Sequence, residues 1–400
     1  MTQETDPRQA AVMPTYGRAD IAFVRGKGSW LYTEDDTAYL DCATGIAVNV
    51  FGHGDKRLMA ALHAQADKLW HTSNLYRIGE QEKLAWRLTR HAGLDHAFFC
   101  NSGAEANEAA VKMARRFQYR QGFEKRFKII CAGNAFHGRT LAMLAATDKP
   151  LFREGFGPMP EGFVHVPFGN LNHLRDAMDE EVAAIMVEPV QGEGGAIAAP
   201  DGYLEGVRKA ADDFGALVIA DEVQTGMGRT GYLFAYQKAG IQPDLVVLAK
   251  GLGGGFPVGS VLARKQIGEA MGPGSHGSTF GGNPLAMAVA NAVLDGLEED
   301  GFLADVQRRA AILDEKLAKL AADYPGLILE RRGTGFLRGL KLADRITVGD
   351  MTASLRRKQL LVVPAGENVL RLLPPLTITE DEIERACHIL DEAFSHLASA

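Results

Sequence analysis

Two short apolar runs each end in a single ionisable residue: residues 216–220 (ALVIA) lead into Asp221, and residues 245–249 (LVVLA) lead into Lys250. Runs of Val, Ile and Leu that do not alternate with polar residues need cover on both faces, which a parallel sheet with helices on each side supplies. That need points to an α/β fold. Open α/β sheets bind ligands at the carboxyl ends of their strands, where both Asp221 and Lys250 fall. A lysine emerging from an apolar run is also partly desolvated, which favours the neutral, nucleophilic amine.

The neighbouring sequence keeps the same rhythm. From about residue 58 to about residue 290, strand-like runs alternate with amphipathic stretches, with candidate strands at 96–100, 127–131, 183–188, 216–221, 245–249 and 259–263. Residues 293–324 read as one or two helices, followed by short strands at 328–332 and 338–342 and a closing helix after Thr379, which has Glu382 three residues on. The reading therefore divides the chain into an arm, 1–57, that joins a small α/β domain, 291–400, and a large domain, 58–290. At 400 residues, 46% hydrophobic and a net charge of -7, the chain can bury two cores and has no basic stripe for nucleic acid. No run approaches the roughly 18 apolar residues of a membrane helix, and the N-terminus lacks a signal-peptide core, so a cytoplasmic location is expected. Cys42, Cys100, Cys131 and Cys387 show no C-x-x-C spacing, so reduced, mostly buried thiols are expected, with no disulfide framework and no metal site.

Three motifs surround the two strand ends. Asn101-Ser102-Gly103-Ala104 follows the strand ending at Cys100 and opens a helix with apolar Ala106, Ala109, Ala110, Met113 and Phe117, so its N–H groups face an anion such as a phosphate, unless Ser102 is only a cap. Phe136-His137-Gly138-Arg139 offers an aromatic to stack on a flat ring and an arginine to grip a carboxylate, or equally a core Phe and a surface Arg. Glu188-Pro189-Val190-Gln191-Gly192-Glu193 places carboxylates at the same sheet edge, or is a plain Gly-rich turn. Arg371 is a lone charge in VLRLLPP, and such an arginine is rarely buried without a carboxylate. The Asp221 and Lys250 pair alone reads as an inter-strand ion pair or as the seat of pyridoxal phosphate. That cofactor needs a lysine amine for its aldehyde and a carboxylate to keep its ring nitrogen protonated. Gly226-x-Gly228-x-x-Gly231 and Gly272-x-Gly274-x-x-Gly277 match the dinucleotide fingerprint literally, but neither sits between a strand and a helix as that motif requires.

With these pieces in order, the chain resembles the class III pyridoxal phosphate aminotransferases over nearly its whole length. The resemblance is carried by NSGAEANEAAVKMAR, AFHGRTLAMLAATDKP, VEPVQGEGG, IADEVQTGMGRTGYLFAY, PDLVVLAKGLGGGFPVG, GSHGSTFGGNPLA and VLRLLPPL. It implies the type I fold of these enzymes, with a large, mostly parallel seven-stranded sheet. By motif, Lys250 would bond the cofactor and shuttle protons, Asp221 would pair with its ring nitrogen, and Gln224 would lie near its ring hydroxyl. Ser102, Gly103 and Ala104 would hold the phosphate, Phe136 would stack on the ring, and His137, Glu188 and Val223 would complete the cofactor set. Thr279 would reach the cofactor phosphate of a neighbouring subunit, making the active unit a homodimer. For substrate, Arg139 would grip the distal carboxylate and Arg371 the one beside the reacting carbon, with Glu193 neutralising Arg371 when an amine donor is bound; Tyr16 and Ser278 would assist.

Within the family, Ile46 stands where ornithine-specific members carry a tyrosine, which suits an acylated amine. The resemblance thus favours acetylornithine as donor and 2-oxoglutarate as acceptor, in arginine biosynthesis. Succinylornithine, succinyl-diaminopimelate, ornithine and 4-aminobutyrate are the alternative donors, and an aminomutase on the same fold is the alternative chemistry.

Overall fold

Seven strands make the central sheet of the computed structural model, which describes residues 11–399; the first ten residues of the expected arm lie outside the described residues. In chain order the strands are β1 (His96–Cys100), β2 (Lys128–Ala132), β3 (Phe163–Val166), β4 (Val182–Val187), β5 (Leu217–Asp221), β6 (Leu245–Leu248) and β7 (Gly259–Ala263). Their spatial order is β1-β7-β6-β5-β4-β2-β3, and only β7 runs antiparallel to its neighbours. The type I architecture implied by the resemblance is therefore present.

The unbroken apolar runs are explained by cover on both faces. Along β5, Val218, Ile219 and Ala220 belong to three different apolar clusters, and along β6 Val246 and Val247 fall on opposite sides, as the alternation of side chains in a strand requires. One face packs against the Gly103–Arg120 helix, whose Ala106, Ala109, Ala110 and Ala114 are fully buried and let it lie close to the sheet. The other face packs against the Pro284–Leu297 helix. β3 was not among the expected strands: its sequence, FVHV, is short and interrupted by His165, and as an edge strand it is half-buried, so no continuous apolar run marks it.

The carboxyl-terminal region builds a second sheet from Ile328–Thr334, Leu337–Leu342, Val369–Leu372 and Val363–Ala365. The stretch expected as one or two helices is two, Pro284–Leu297 and Phe302–Asp323, broken at Gly301, whose φ is +78°. The Glu380–Ser399 helix opens with the expected capping box, Glu382 accepting from the Thr379 N–H at 2.9 Å and donating its own N–H to Thr379 Oγ1 at 3.2 Å. Strands Arg25–Lys27, Trp30–Tyr32 and Ala38–Asp41 form a third sheet, closed by Leu360–Leu361 running parallel to Ala38–Asp41. The amino-terminal segment thus pairs directly with chain from the last third.

Just beyond Asp41 the backbone turns left-handed for four residues, with φ of +47° at Thr44, +63° at Gly45, +66° at Ile46 and +63° at Ala47. Such a turn costs L-residues energy, most of all β-branched ones. It is held by buried Asp41, which accepts from the Ala43 N–H at 2.9 Å and the Thr44 N–H at 2.8 Å, and by Thr44 Oγ1 donating to the Leu373 carbonyl at 2.7 Å. All four cysteines are free and buried. Among the described residues, no helix is long and apolar enough to cross a membrane.

Ile130 in β2 is fully buried, so Ile130→Ala should cost about 2–5 kcal/mol. Calorimetry should read this as a clearly lower thermal midpoint, and an unchanged midpoint would contradict the packing described.

Candidate active site

β5 and β6 run parallel with Asp221 opposite Val247, so Lys250 emerges three residues further along the same sheet edge. Asp221 is almost wholly buried. Its Oδ2 accepts from Asn107 Nδ2 at 2.8 Å and meets His137 Nδ1 at 2.7 Å, while Oδ1 accepts from the Val223 N–H at 3.0 Å. Burial alone would lower the His137 pKa, but the hydrogen bond to Asp221 and the charges of Asp221 and Glu188 outweigh it and raise it. The pair is therefore a hydrogen-bonded imidazole and carboxyl sealed from water, with the imidazole holding its proton more tightly than usual. Glu188 is buried beside them, its carboxyl pushed up to about 7 by burial, and it accepts from the Phe136 N–H at 3.1 Å.

Lys250 opens the short turn Lys250–Gly253 with φ of +43°, a strained conformation for a residue with a side chain. Burial, reinforced by the positive charge of Arg371, brings its ammonium down to about 8; Asp221, Glu188 and Glu193 oppose the shift. The Lys250 amine thus lies within electrostatic reach of four ionisable side chains from three other segments, Arg371 among them from the second sheet.

A cavity of about 420 Å³ lies there, walled by Ser102, Gly103, Ala104, Phe136, His137, Arg139, Val223 and Lys250. Ser102 Oγ caps the helix by accepting from the Glu105 N–H at 3.2 Å. Because the helix begins at Gly103, the Gly103 and Ala104 N–H groups have no carbonyl one turn back. Space is tight on purpose of fit: a Cβ at Gly103 would come within 2.8 Å of Val223 Cγ1, and one at Gly138 within 2.7 Å of Ala104 Cβ. A separate cavity of about 290 Å³ beside Pro189, Leu204 and Thr230 contains none of the expected residues.

The substrate-facing residues divide into those brought together and those left apart. Arg371 is fully buried; its Nη2 reaches Glu193 Oε2 at 3.0 Å and its Nη1 donates to Gln224 Oε1 at 3.0 Å, while its Nε has no partner. Burial lowers its pKa and Glu193 opposes this. The Gln224 amide oxygen accepts the Nη1 bond from Arg371. Arg139 lies over the Phe152 ring, 3.7 Å from its centre, with the Phe136 ring centre 5.6 Å away. Tyr16 and Ile46 are exposed, at 76% and 43%, and do not wall the cavity. Thr279 is also exposed. Ser278 ties its loop to the phosphate-facing turn, its Oγ accepting from Asn101 Nδ2 at 3.3 Å.

Asn107, which holds Asp221, was missed; the signal was a polar residue on the alanine face of its helix. Lys149 was also missed. Its side chain reaches the Glu193 carbonyl at 3.3 Å, but the sequence TDKP carries no periodic cue.

These residues fit pyridoxal phosphate: a depressed lysine amine, a buried carboxyl hydrogen-bonded to an imidazole and an amide, unbonded N–H groups at a helix start, and a narrow slot between Val223 and the Gly138 turn. The Aminotransferase class-III family model matches residues 12–394. Acetylornithine aminotransferase of Brucella melitensis is 50% identical over 386 residues, covering 96% of this chain and 95% of that one. N-acetylornithine aminotransferase from Stenotrophomonas maltophilia superposes with a TM-score of 0.84 at 36% identity, covering 96% and 98%. An ornithine aminotransferase from Toxoplasma gondii, with pyridoxal phosphate in partial occupancy at its active site, superposes with a TM-score of 0.94 at 31% identity, covering 98% and 94%. The chain belongs to the class III aminotransferase family.

Proposed function

We propose that this enzyme transfers the terminal amino group of N2-acetylornithine to 2-oxoglutarate, giving N-acetylglutamate 5-semialdehyde and glutamate, as a step of arginine biosynthesis. The observation that carries the reading is the contact between buried Arg371 and partly exposed Glu193. A site that accepts both an uncharged CH2–NH2 terminus and a carboxylate beside the reacting carbon must hide its arginine from the first and offer it to the second. A buried arginine stripped of its partner is strongly penalised, and Glu193 supplies that partner while the amine donor is bound. Apolar Ile46 and the names of the similar enzymes support an acylated donor over free ornithine.

The bound cofactor supplies an electrophilic carbon and a ring that accepts electrons. Lys250 would hold it and carry the proton between substrate carbon and cofactor. Asp221, held in place by His137 and Asn107, would keep the ring nitrogen protonated. Gly103 and Ala104 N–H groups with Ser102 would bind the phosphate, and Phe136 and Val223 would flank the ring. Glu188 would set Phe136 through its N–H. Arg139 would take the distal carboxylate, while Tyr16 and Ser278 would help hold the donor.

A homodimer completes this reading. Trp70, Leu75, Tyr76 and Phe280 are large apolar side chains exposed at 65%, 87%, 69% and 63%, which supports an interface there, and Thr279, next to Phe280, would reach a partner's cofactor phosphate. We further infer a division into arm 1–57, large domain 58–290 and small domain 291–400, and a cytoplasmic location.

Two outcomes follow. Capture of pyridoxal phosphate by the cofactor-free enzyme needs the neutral amine of Lys250. Its rate should rise about tenfold per pH unit below the amine's pKa and level off above about 8. Stopped-flow absorbance checks this, and a midpoint near the ordinary lysine value would contradict the depressed amine. In a panel of N-acetylornithine, N-succinylornithine, ornithine, succinyl-diaminopimelate and 4-aminobutyrate with 2-oxoglutarate, kcat/KM should be highest for N-acetylornithine and vanish in Lys250→Ala. Product formation without any oxo acid would instead favour an aminomutase.

A further inference from the structure

Lys149 stands among the substrate clamps without an acidic partner. It precedes the short Pro150–Arg153 helix, is half-buried, and forms no ion pair within 4.0 Å among the described residues. Its ammonium donates to the backbone carbonyl of Glu193 at 3.3 Å. It also lies 5.5 Å from the centre of the Phe152 ring, which carries Arg139 at 3.7 Å. Burial lowers its pKa, Glu193 and Glu188 oppose that, and Arg371 and Arg139 add to it. The leading charges acting on this amine thus belong to the reaction site.

When the carboxylate of the oxo acid takes Arg371, Glu193 must let go. A carboxylate released in a partly buried cleft needs a new cation or full hydration. Glu193 is 31% exposed in the turn between the Val190–Gln191 and Ile197–Ala198 strands, so its side chain is open to solvent on one side. The cation tethered to its own backbone is Lys149. We propose that Lys149 is a positioning residue that receives the Glu193 carboxylate while Arg371 binds the oxo acid. Lys149 then lowers the cost of opening the Arg371 clamp in one half-reaction and has no such task in the other, where Glu193 stays on Arg371. The assignment rests on the two-substrate reading above.

Single half-reactions of the holoenzyme, followed by cofactor absorbance, separate the two roles. Lys149→Met should raise the half-saturating concentration of 2-oxoglutarate about tenfold, the scale of one lost charge-assisted hydrogen bond, with a far smaller change for N-acetylornithine and little change in either limiting rate. Lys149→Arg should restore the parent value. In a Glu193→Gln background no carboxylate needs receiving, so Lys149→Met should add nothing further. Equal shifts in both half-reactions, no shift, or an undiminished effect in the Glu193→Gln background would overturn the assignment while leaving the aminotransferase reading intact. Failure of the unsubstituted enzyme in both half-reactions would overturn that reading and this inference together.

Discussion

The buried Asp221 carboxylate is the constraint on which the site depends. A charge at the end of a strand covered on both faces is costly unless its lone pairs are satisfied, and here three donors from three places meet it: Asn107 from the Gly103–Arg120 helix, His137 from the loop after β2, and the Val223 N–H from its own turn. Each donor is a point where a cavity wall is pinned. Asn107 fixes the helix whose start faces the phosphate, His137 fixes the segment carrying Phe136 and Arg139, and Val223 flanks the slot. Glu188, close enough to feel Asp221, remains a weak acid pushed up to about 7 by burial, with the His137 imidazolium drawing it back. Two carboxyls and one imidazole thus share the sheet edge, while at the end of the neighbouring strand burial brings the Lys250 ammonium down to about 8.

The second constraint is chemical economy. One site must meet a donor without a carboxylate at the reacting end and an acceptor with one, and the Arg371 guanidinium is too buried to be left bare. Its contacts with Glu193 and Gln224 make its charge conditional, and the unbonded Nε marks it as less than fully satisfied at rest. The left-handed turn at Thr44–Ala47, held by Asp41 and by the Leu373 carbonyl two residues after Arg371, links the segment bearing Ile46 to the strand bearing that arginine.

The parts of this arrangement legible in the sequence were those with a strong local cause. The unbroken runs before Asp221 and Lys250 announced strands buried on both faces, and Ser102 announced a helix start, because burial and capping leave residue patterns. β3 left none, since an edge strand with His165 in its middle needs cover on only part of its surface. Neither did the left-handed turn, in which only Gly45 suits a positive φ while Thr44, Ile46 and Ala47 are held there by distant hydrogen bonds. The contact of Gln224 with Arg371 left none for the same reason: Arg371 lies 147 positions away, and no spacing rule connects them. Lys149 resembled any surface lysine until Glu193 and Phe152 folded against it.

The central claim is that the buried carboxylate of Asp221 drives the chemistry rather than merely filling the core. Asp221→Asn keeps the size and the hydrogen-bonding shape but removes the charge, so the measurement is the rate of amine transfer from N-acetylornithine in an enzyme that still carries cofactor on Lys250. The account predicts retained cofactor with transfer slowed by about 10²-fold or more, the scale of losing one preorganised electrostatic group. Transfer within about twofold of the parent enzyme, at full cofactor occupancy, would contradict it.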